Sequence, residues 1–365
     1  MLMYSDYFTN ISAENSFFAG ANTSEGFVAD YGELLSEDTF EKIYIIKGGS
    51  GTGKSTLIRK CAKTGENCHA NITYILCSSD PDSLDGIIIE KDGKKIAVID
   101  GTAPHVKDPE YAGACGEIVN FGDHWDSSIL EGNKAAIAAL IKEKKMSFKR
   151  AYTYLSAAGE IVEMQEGIAG QCLDRKKMEK AISRMISNIG LNKSGSKGKI
   201  SYRRTCGITM KGMIRLSTFE CCKTVFGICD CSFISLLFYN ALLKALSDYG
   251  LDVEVSVSPL GGICEIRIPM YETAFVPKNE GIVYDKIINL RRFAKKEELA
   301  KTKERRIFSG KCLSAMLEGA CESMSKVKDL HFSLEKIYFS AMDFEGIDEL
   351  CEGLCKDIKK RLSPT

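Results

Sequence analysis

Lys42-Ile-Tyr-Ile-Ile-Lys-Gly-Gly-Ser-Gly-Thr-Gly-Lys-Ser-Thr56 carries the strongest signal in this chain. Gly48 through Ser55 fits the pattern G-x-x-x-x-G-K-[ST]. A short apolar strand, Ile43 to Ile46, runs into it, and Leu57, Ile58 and the polar residues after them open a helix. Gly48, Gly49, Gly51 and Gly53, with Ser50 and Thr52 between them, let successive N–H groups point inward at one anion. The dipole of the following helix adds positive potential there. Lys54 is then placed for the β- and γ-phosphates of a nucleotide and the Ser55 hydroxyl for Mg²⁺, while Thr56 suits an α-phosphate. A glycine-rich surface turn would account for the glycines, but not for strand, lysine, hydroxyl and helix together.

Around this loop stand 365 residues, 44% of them hydrophobic, enough to bury two ordinary cores. The 49 basic and 49 acidic residues cancel, so no global field draws in nucleic acid or an anionic membrane. The start, Met1-Leu-Met-Tyr-Ser-Asp6, lacks the basic-then-apolar order of a signal peptide. Thr224 to Leu243 is the most membrane-like window, but Asp230 and Asn240 interrupt it, and it reads as a strand followed by a buried helix. Fifteen cysteines are scattered without a C-x-x-C pair. Cys229 with Cys231, and Cys351 with Cys355, are too sparse for a zinc site. Reduced core thiols in a cytoplasmic protein are the expectation.

Asn192-Lys-Ser-Gly-Ser-Lys-Gly-Lys199 reads as a linker. It divides the chain into a nucleotide-binding unit, 1–191, a linker, 192–200, and a second unit, 201–365. Across it the chain repeats itself. Phe18 to Phe27 corresponds to Thr205 to Met213, and Ile43 to Gly48 to Lys223 to Gly227. Ile72 to Cys77 pairs with Asp252 to Val257, and Ile96 to Ile99 with Thr273 to Val276. Each half closes with a long charged tract read as helical, 131–189 and 285–330. With Gly48 set on Gly227, Phe233 falls where Lys54 stands, Ser232 on Gly53 and Val276 on Asp100. The second loop, in which Asp230 would repel a phosphate, is thus degenerate. The expected fold is α/β: two three-layer units of the P-loop NTPase type with mostly parallel sheets, each with an added helical tract. Ligand belongs at the carboxyl edge of the first sheet.

Lys95-Ile-Ala-Val-Ile-Asp100 is an apolar run ending in a carboxylate, and its tip is placed to hold the Mg²⁺ shell opposite Ser55. Gly101 follows, where many ATPases carry a water-polarising glutamate. Asp80, Asp82 and Asp85 lie nearby. Asp80 is the candidate to orient water or an acceptor hydroxyl, with ordinary turn chemistry as its alternative. Thr102 and His105 are candidates to sense the terminal phosphate. His124-Trp125 reads as a hydrophobic anchor, and Asn22 and Thr23 as candidate base or ribose contacts. The basic run from Arg291 to Arg306 reads as a solvated helical face, with a catalytic arginine there, or Arg203 or Arg204, as the sharper alternative.

Phe18 to Phe27, Gly48 to Thr56, Asp80 to Asp85, Ile99 to His105 and Tyr338 to Phe344 together resemble an uncharacterised family of bacterial tandem P-loop ATPases. The likeness covers nearly the whole chain and departs from the family pattern at Cys229 to Ser235, where the second loop is lost. The resemblance implies ATP binding and hydrolysis, and the residues read above put that chemistry at one site in the first half, with Lys54, Asp100 and Asp80 as catalytic candidates and Ser55 and Asp100 as Mg²⁺ ligands. It names neither a protein nor a small-molecule partner and fixes no oligomeric state. Two other readings stand beside it: a small-molecule kinase, and a nucleotide-gated binding module with negligible turnover. Asn192 to Gly195 lacks the aspartate of a guanine-reading motif, so GTP is not favoured.

Overall fold

The protein is described by a computed structural model covering residues 8–11, 13–189, 196–230 and 232–363. Residues 192–195 of the expected linker, and Cys231, lie outside the described residues. The first half opens with Thr9–Ile11 (β1), Ser16–Phe18 (β2), Gly20–Thr23 (β3), Gly26–Ala29 (β4), Tyr31–Leu34 (α1) and Lys42–Lys47 (β5). Lys54–Asn67 (α2), Asn71–Leu76 (β6), Leu84–Lys91 (β7), Lys94–Asp100 (β8) and Gly116–Asn120 (β9) follow. Helices Ser127–Gly132 (α3), Lys134–Cys172 (α4) and Arg175–Asn188 (α5) close it.

The second half repeats that order almost element for element. Its strands are Ile200–Tyr202 (β10), Cys206–Thr209 (β11), Gly212–Leu216 (β12) and Thr224–Cys229 (β13). Ile234–Asp248 (α6) leads to Val253–Val257 (β14), Ile263–Ile268 (β15), Thr273–Pro277 (β16) and Lys286–Asn289 (β17). Lys296–Lys301 (α7), Lys303–Phe339 (α8) and Phe344–Leu362 (α9) end it. The window from Thr224 is therefore strand β13 followed by helix α6. No helix among the described residues is long and apolar enough to cross a membrane.

Each half builds a six-stranded sheet, and the strand orders match: β2-β6-β7-β8-β5-β9 and β10-β14-β15-β16-β13-β17. The sheets are mixed: in each, five strands run in one direction, as expected of a mostly parallel sheet, and one runs against them. Strand β7 runs antiparallel to both neighbours, as does β15, while the β5 ladders to β8 and β9 are parallel. Connection length explains this. Parallel neighbours need a crossover of a dozen residues, but only Asp92-Gly93 joins β7 to β8. Both have positive φ, 49° and 80°, the backbone of a tight hairpin. The tract 285–330 is likewise not wholly helical, since it begins with edge strand β17 beside β13.

One face of the first sheet packs Tyr44, Ile46, Ile87 and Val98 against Leu57, Ile58 and Cys61 of α2. Beside α2 on that face lie Ile347, Cys351, Leu354 and Ile358 of α9, the last helix of the chain. In mirror fashion Met178, Ile182 and Ile186 of α5 join the core around α6 in the second half. The opposite face of the first sheet is covered by Tyr31, Leu35 and Phe40, a one-turn helix and loop rather than a helical layer. The halves thus exchange their terminal helices. The crossings are made by α4 and α8, with 39 and 37 residues, each about 55–60 Å long at 1.5 Å per residue. Trp125 bridges to Met342 and Leu173 to Ala294, so each long helix ends by pairing with the other half. The hairpins exchange as well: Ser24 N donates to Pro259 O at 3.0 Å and Met210 N to Ser79 O at 2.8 Å.

Candidate functional site at the glycine-rich loop

Strand β5 delivers the chain to Gly48 at the carboxyl edge of the first sheet, and α2 begins at Lys54. The turn between them needs two left-handed residues, Gly51 (φ 70°) and Gly53 (φ 94°), the second being the N-cap of α2. Among the described residues, the N–H groups of residues 49 to 53 donate to no protein atom. Thr52 is buried and braces the loop from inside, its hydroxyl donating to Gly49 O at 3.0 Å. The result is a set of backbone donors gathered at a helix N-terminus, an arrangement suited to an anion.

The charged groups converge on the same point. Lys54 Nζ donates to Gly49 O at 2.5 Å and lies 3.5 Å from Asp100 Oδ2, with both side chains largely buried. The tip of β8 is placed there by register, since Asp100 stands opposite Ile46 of β5. The other oxygen of Asp100 accepts from Thr102 N at 2.9 Å and Thr102 Oγ1 at 2.5 Å, which fixes the carboxylate. Ser55 Oγ accepts from Leu84 N at 3.0 Å, tying the start of α2 to β7. No cluster of three or more His, Cys, Asp or Glu side chains among the described residues is arranged around a metal. A hydroxyl and a carboxylate are nonetheless the hard donors that Mg²⁺ uses when phosphate and water complete its shell.

Asp85 and His105, read separately in the sequence, form a pair. His105 Nε2 is 3.0 Å from Asp85 Oδ2, and both side chains are less than a tenth exposed. The ring sits edge-on to Phe27 and Tyr31, with centroids 5.0 and 5.6 Å away. Its Nδ1, together with Tyr31 OH and Ser78 Oγ, is buried without a hydrogen-bond partner among the described residues. Burial opposes the charged imidazolium, but the Asp85 bond and charge, with Asp100 behind them, outweigh it and raise the His105 pKa above its ordinary value.

Other candidates go elsewhere. Asp80 makes a turn: its carbonyl accepts from Ser83 N at 2.9 Å and its carboxylate from Asp82 N at 3.4 Å. Asp82 pairs with Lys211 from the second half's hairpin. Asn22 is a buried seam residue, donating to Ile208 O at 2.8 Å and accepting from Tyr152 OH at 2.8 Å, while Thr23 closes the β3–β4 turn on Gly26 O. Arg203 lies over the Phe17 ring and Arg204 pairs with Asp30. Arg306 does not reach the first loop. It is buried against the second, its Nη1 donating to Ser232 Oγ at 3.1 Å. Trp125 does anchor: its ring packs 6.0 Å from that of Tyr338 at the end of α8.

Register corrects the alignment of the two loops. Asn120 and Asn289 each end an edge strand and cap the turn that follows; they stand opposite Lys47 and Cys229. Gly48 therefore matches Asp230, not Gly227, and Asp100 matches Pro277, not Val276. Gly53 and Phe233 are both left-handed N-caps, so Lys54 matches Ile234 rather than Phe233. The second loop is two residues shorter, and donors of its described residues are taken. Asp230 accepts from Ser232 N (3.0 Å), Ile234 N (3.2 Å), Ser235 N (3.1 Å) and Ser235 Oγ (2.7 Å). A carboxylate of the chain itself sits at this helix N-terminus. Hydrophobic matching alone could not find this, because it aligned the glycines and not the strand ends.

Searches of known proteins find no matching family model, no matching curated protein and no matching solved structure.

Proposed function

We propose that the first half binds a nucleoside triphosphate, ATP by preference, with Mg²⁺ at the loop Gly48 to Thr56, and hydrolyses it. On this reading the chain belongs with the tandem P-loop ATPases and retains one working site. The observation that carries it is the contrast between two equivalent loops. In the second, backbone donors are satisfied by Asp230; in the first, equivalent donors meet no protein acceptor among the described residues, and Lys54 stands beside Asp100.

In this mechanism the amides of residues 49 to 55 and the Lys54 ammonium hold the β- and γ-phosphates and spread the charge that develops on them. Ser55 and Asp100 would hold Mg²⁺, which neutralises phosphate charge when bound. Thr102 keeps the Asp100 carboxylate in one orientation. Gly101 offers no side chain to take a proton from water, so the Asp85–His105 pair is the chain's own candidate acceptor, with Asp85 holding the imidazole tautomer. Tyr31 OH, on the ring packed against His105 and without a hydrogen-bond partner among the described residues, favours a second reading, phosphoryl transfer to the hydroxyl of a small acceptor.

The test is titration of the full chain with Mg·ATP, followed by phosphate release, in wild type and Lys54→Ala. Binding and turnover in the wild type, lost in a Lys54→Ala protein that remains folded, support the proposal. Equal ATP binding by the two proteins would overturn it. Transfer of phosphate to an added alcohol in place of release would select the second reading.

A further inference from the structure

Helix α8 ends on the glycine-rich loop. A Cβ on Gly51 would come within 2.8 Å of Glu335 Cα, and one on Gly49 within 2.6 Å of the Tyr338 ring. One turn before Glu335, His331 places Nε2 3.2 Å from Glu335 Oε1 and Nδ1 3.1 Å from Lys144 Nζ. An ammonium has only donors, so while Lys144 is charged Nδ1 accepts from it and Nε2–H donates to Glu335. The imidazole thereby bridges a lysine on α4 and a carboxylate on α8.

Lys144 is half-buried and, among the described residues, has this histidine as its one hydrogen-bond partner. Burial lowers its pKa from the ordinary lysine value. Cys77 and Glu335 act against that shift, and the nearby Lys54 charge adds to it. Through His331 and Glu335, the Lys144 ammonium is tied to the part of α8 that packs on Gly51, in the loop that carries Lys54. Lys54 is partly neutralised by Asp100 and by loop carbonyls; among the described residues Lys144 forms no ion pair with a carboxylate and bonds His331 instead. Two like charges held together in a partly dry site are stabilised by a bound polyanion.

We propose that Lys144 is a second phosphate-binding cation, carried into the loop mouth by α4, which engages the terminal phosphate of the nucleoside triphosphate while His331 and Glu335 hold it in place. This rests on the nucleotide reading above and adds a residue that selects triphosphate over diphosphate. It gives the crossed helices a part in the site, because Lys144 and its positioning residues belong to α4 and α8 rather than to the loop.

The experiment is calorimetric titration of the full-length chain with Mg·ATP and Mg·ADP, in wild type, Lys144→Met and Lys144→Arg. Loss of a charge-assisted hydrogen bond predicts triphosphate binding weakened about ten- to hundredfold in Lys144→Met. Diphosphate affinity should hold within about threefold, and Lys144→Arg should recover most of the loss, which also guards against misfolding of the methionine variant. Unchanged triphosphate affinity, or equal weakening of both nucleotides, would overturn the role of Lys144 while leaving the site intact. A folded wild type that binds neither nucleotide would overturn the parent reading, and this one with it.

Discussion

Removing the Asp230 carboxylate tests the idea that the second loop is an anion cradle filled from within. In Asp230→Gly, three backbone donors and one hydroxyl lose their acceptor at the start of α6. Ser232 and Ile234 are buried, so water replaces the carboxylate only in part. A hydrogen bond to a charged group contributes roughly 1.5–3 kcal/mol, and a carboxylate at a helix N-terminus roughly 0.3–1 kcal/mol more. The four bonds share one group and do not add, which places the loss at about 3 kcal/mol. For 365 residues unfolding as one unit, at roughly 2.1 cal/mol/K per residue, that is about 4 °C in Tm. The assay is thermal and denaturant unfolding of the full chain with and without sulfate. The variant should recover part of its stability as sulfate takes the emptied place, beyond the general stabilisation the wild type receives from the same salt. A loss below about 1 kcal/mol, or a sulfate response equal to the wild type's, would refute the cradle.

Three further outcomes follow from the geometry. Lys54→Ala should abolish measurable Mg·ATP affinity and leave the circular dichroism spectrum unchanged, because Lys54 bonds loop carbonyls rather than core groups. Gly51→Ala puts a Cβ on a left-handed residue and against the Glu335 backbone; a cost of about 2–4 kcal/mol is expected, combining backbone strain with displacement of α8. Faster hydrogen exchange in residues 331–339 would report that displacement. Because the folded His105 pKa is raised, the stability contributed by the Asp85–His105 pair is fully present below the ordinary histidine value of 6.5 and is lost as pH rises through the elevated one. The Tm gap between wild type and Asp85→Asn should therefore be widest at mildly acidic pH and narrow towards alkaline pH; a gap independent of pH would remove the charged pair from consideration.

The parts of this fold legible in the sequence were those set by neighbours along the chain. Strands β5 and β8 showed as apolar runs, the loop by its glycines and lysine, and the repeat by its matching order of elements. Asp92-Gly93 between two apolar runs is a readable hairpin signal, and it accounts for the one strand that runs against the others. Edge strands β9 and β17 are short and half polar, so their pattern resembles a loop or the adjoining helical tract. Asp85 and His105 meet only through the pairing of β7 with β8, and no spacing in the sequence announces that. The exchange of α5 and α9 was likewise hidden. The apolar stripe of an amphipathic helix tells that a surface must be covered, without telling whose.

That exchange sets an order on synthesis. Leu57 and Ile58 emerge from the ribosome long before Ile347 and Leu354, which complete their shelter. At roughly 5–20 residues per second the delay is about 15–60 s. Throughout it, the part of the front sheet and of α2 that α9 covers stands exposed, and a nascent chain in that condition is a client for chaperones. A chain stopped near residue 190 would hold that condition permanently, so solubility of the isolated front half is the property most exposed to where the chain is cut.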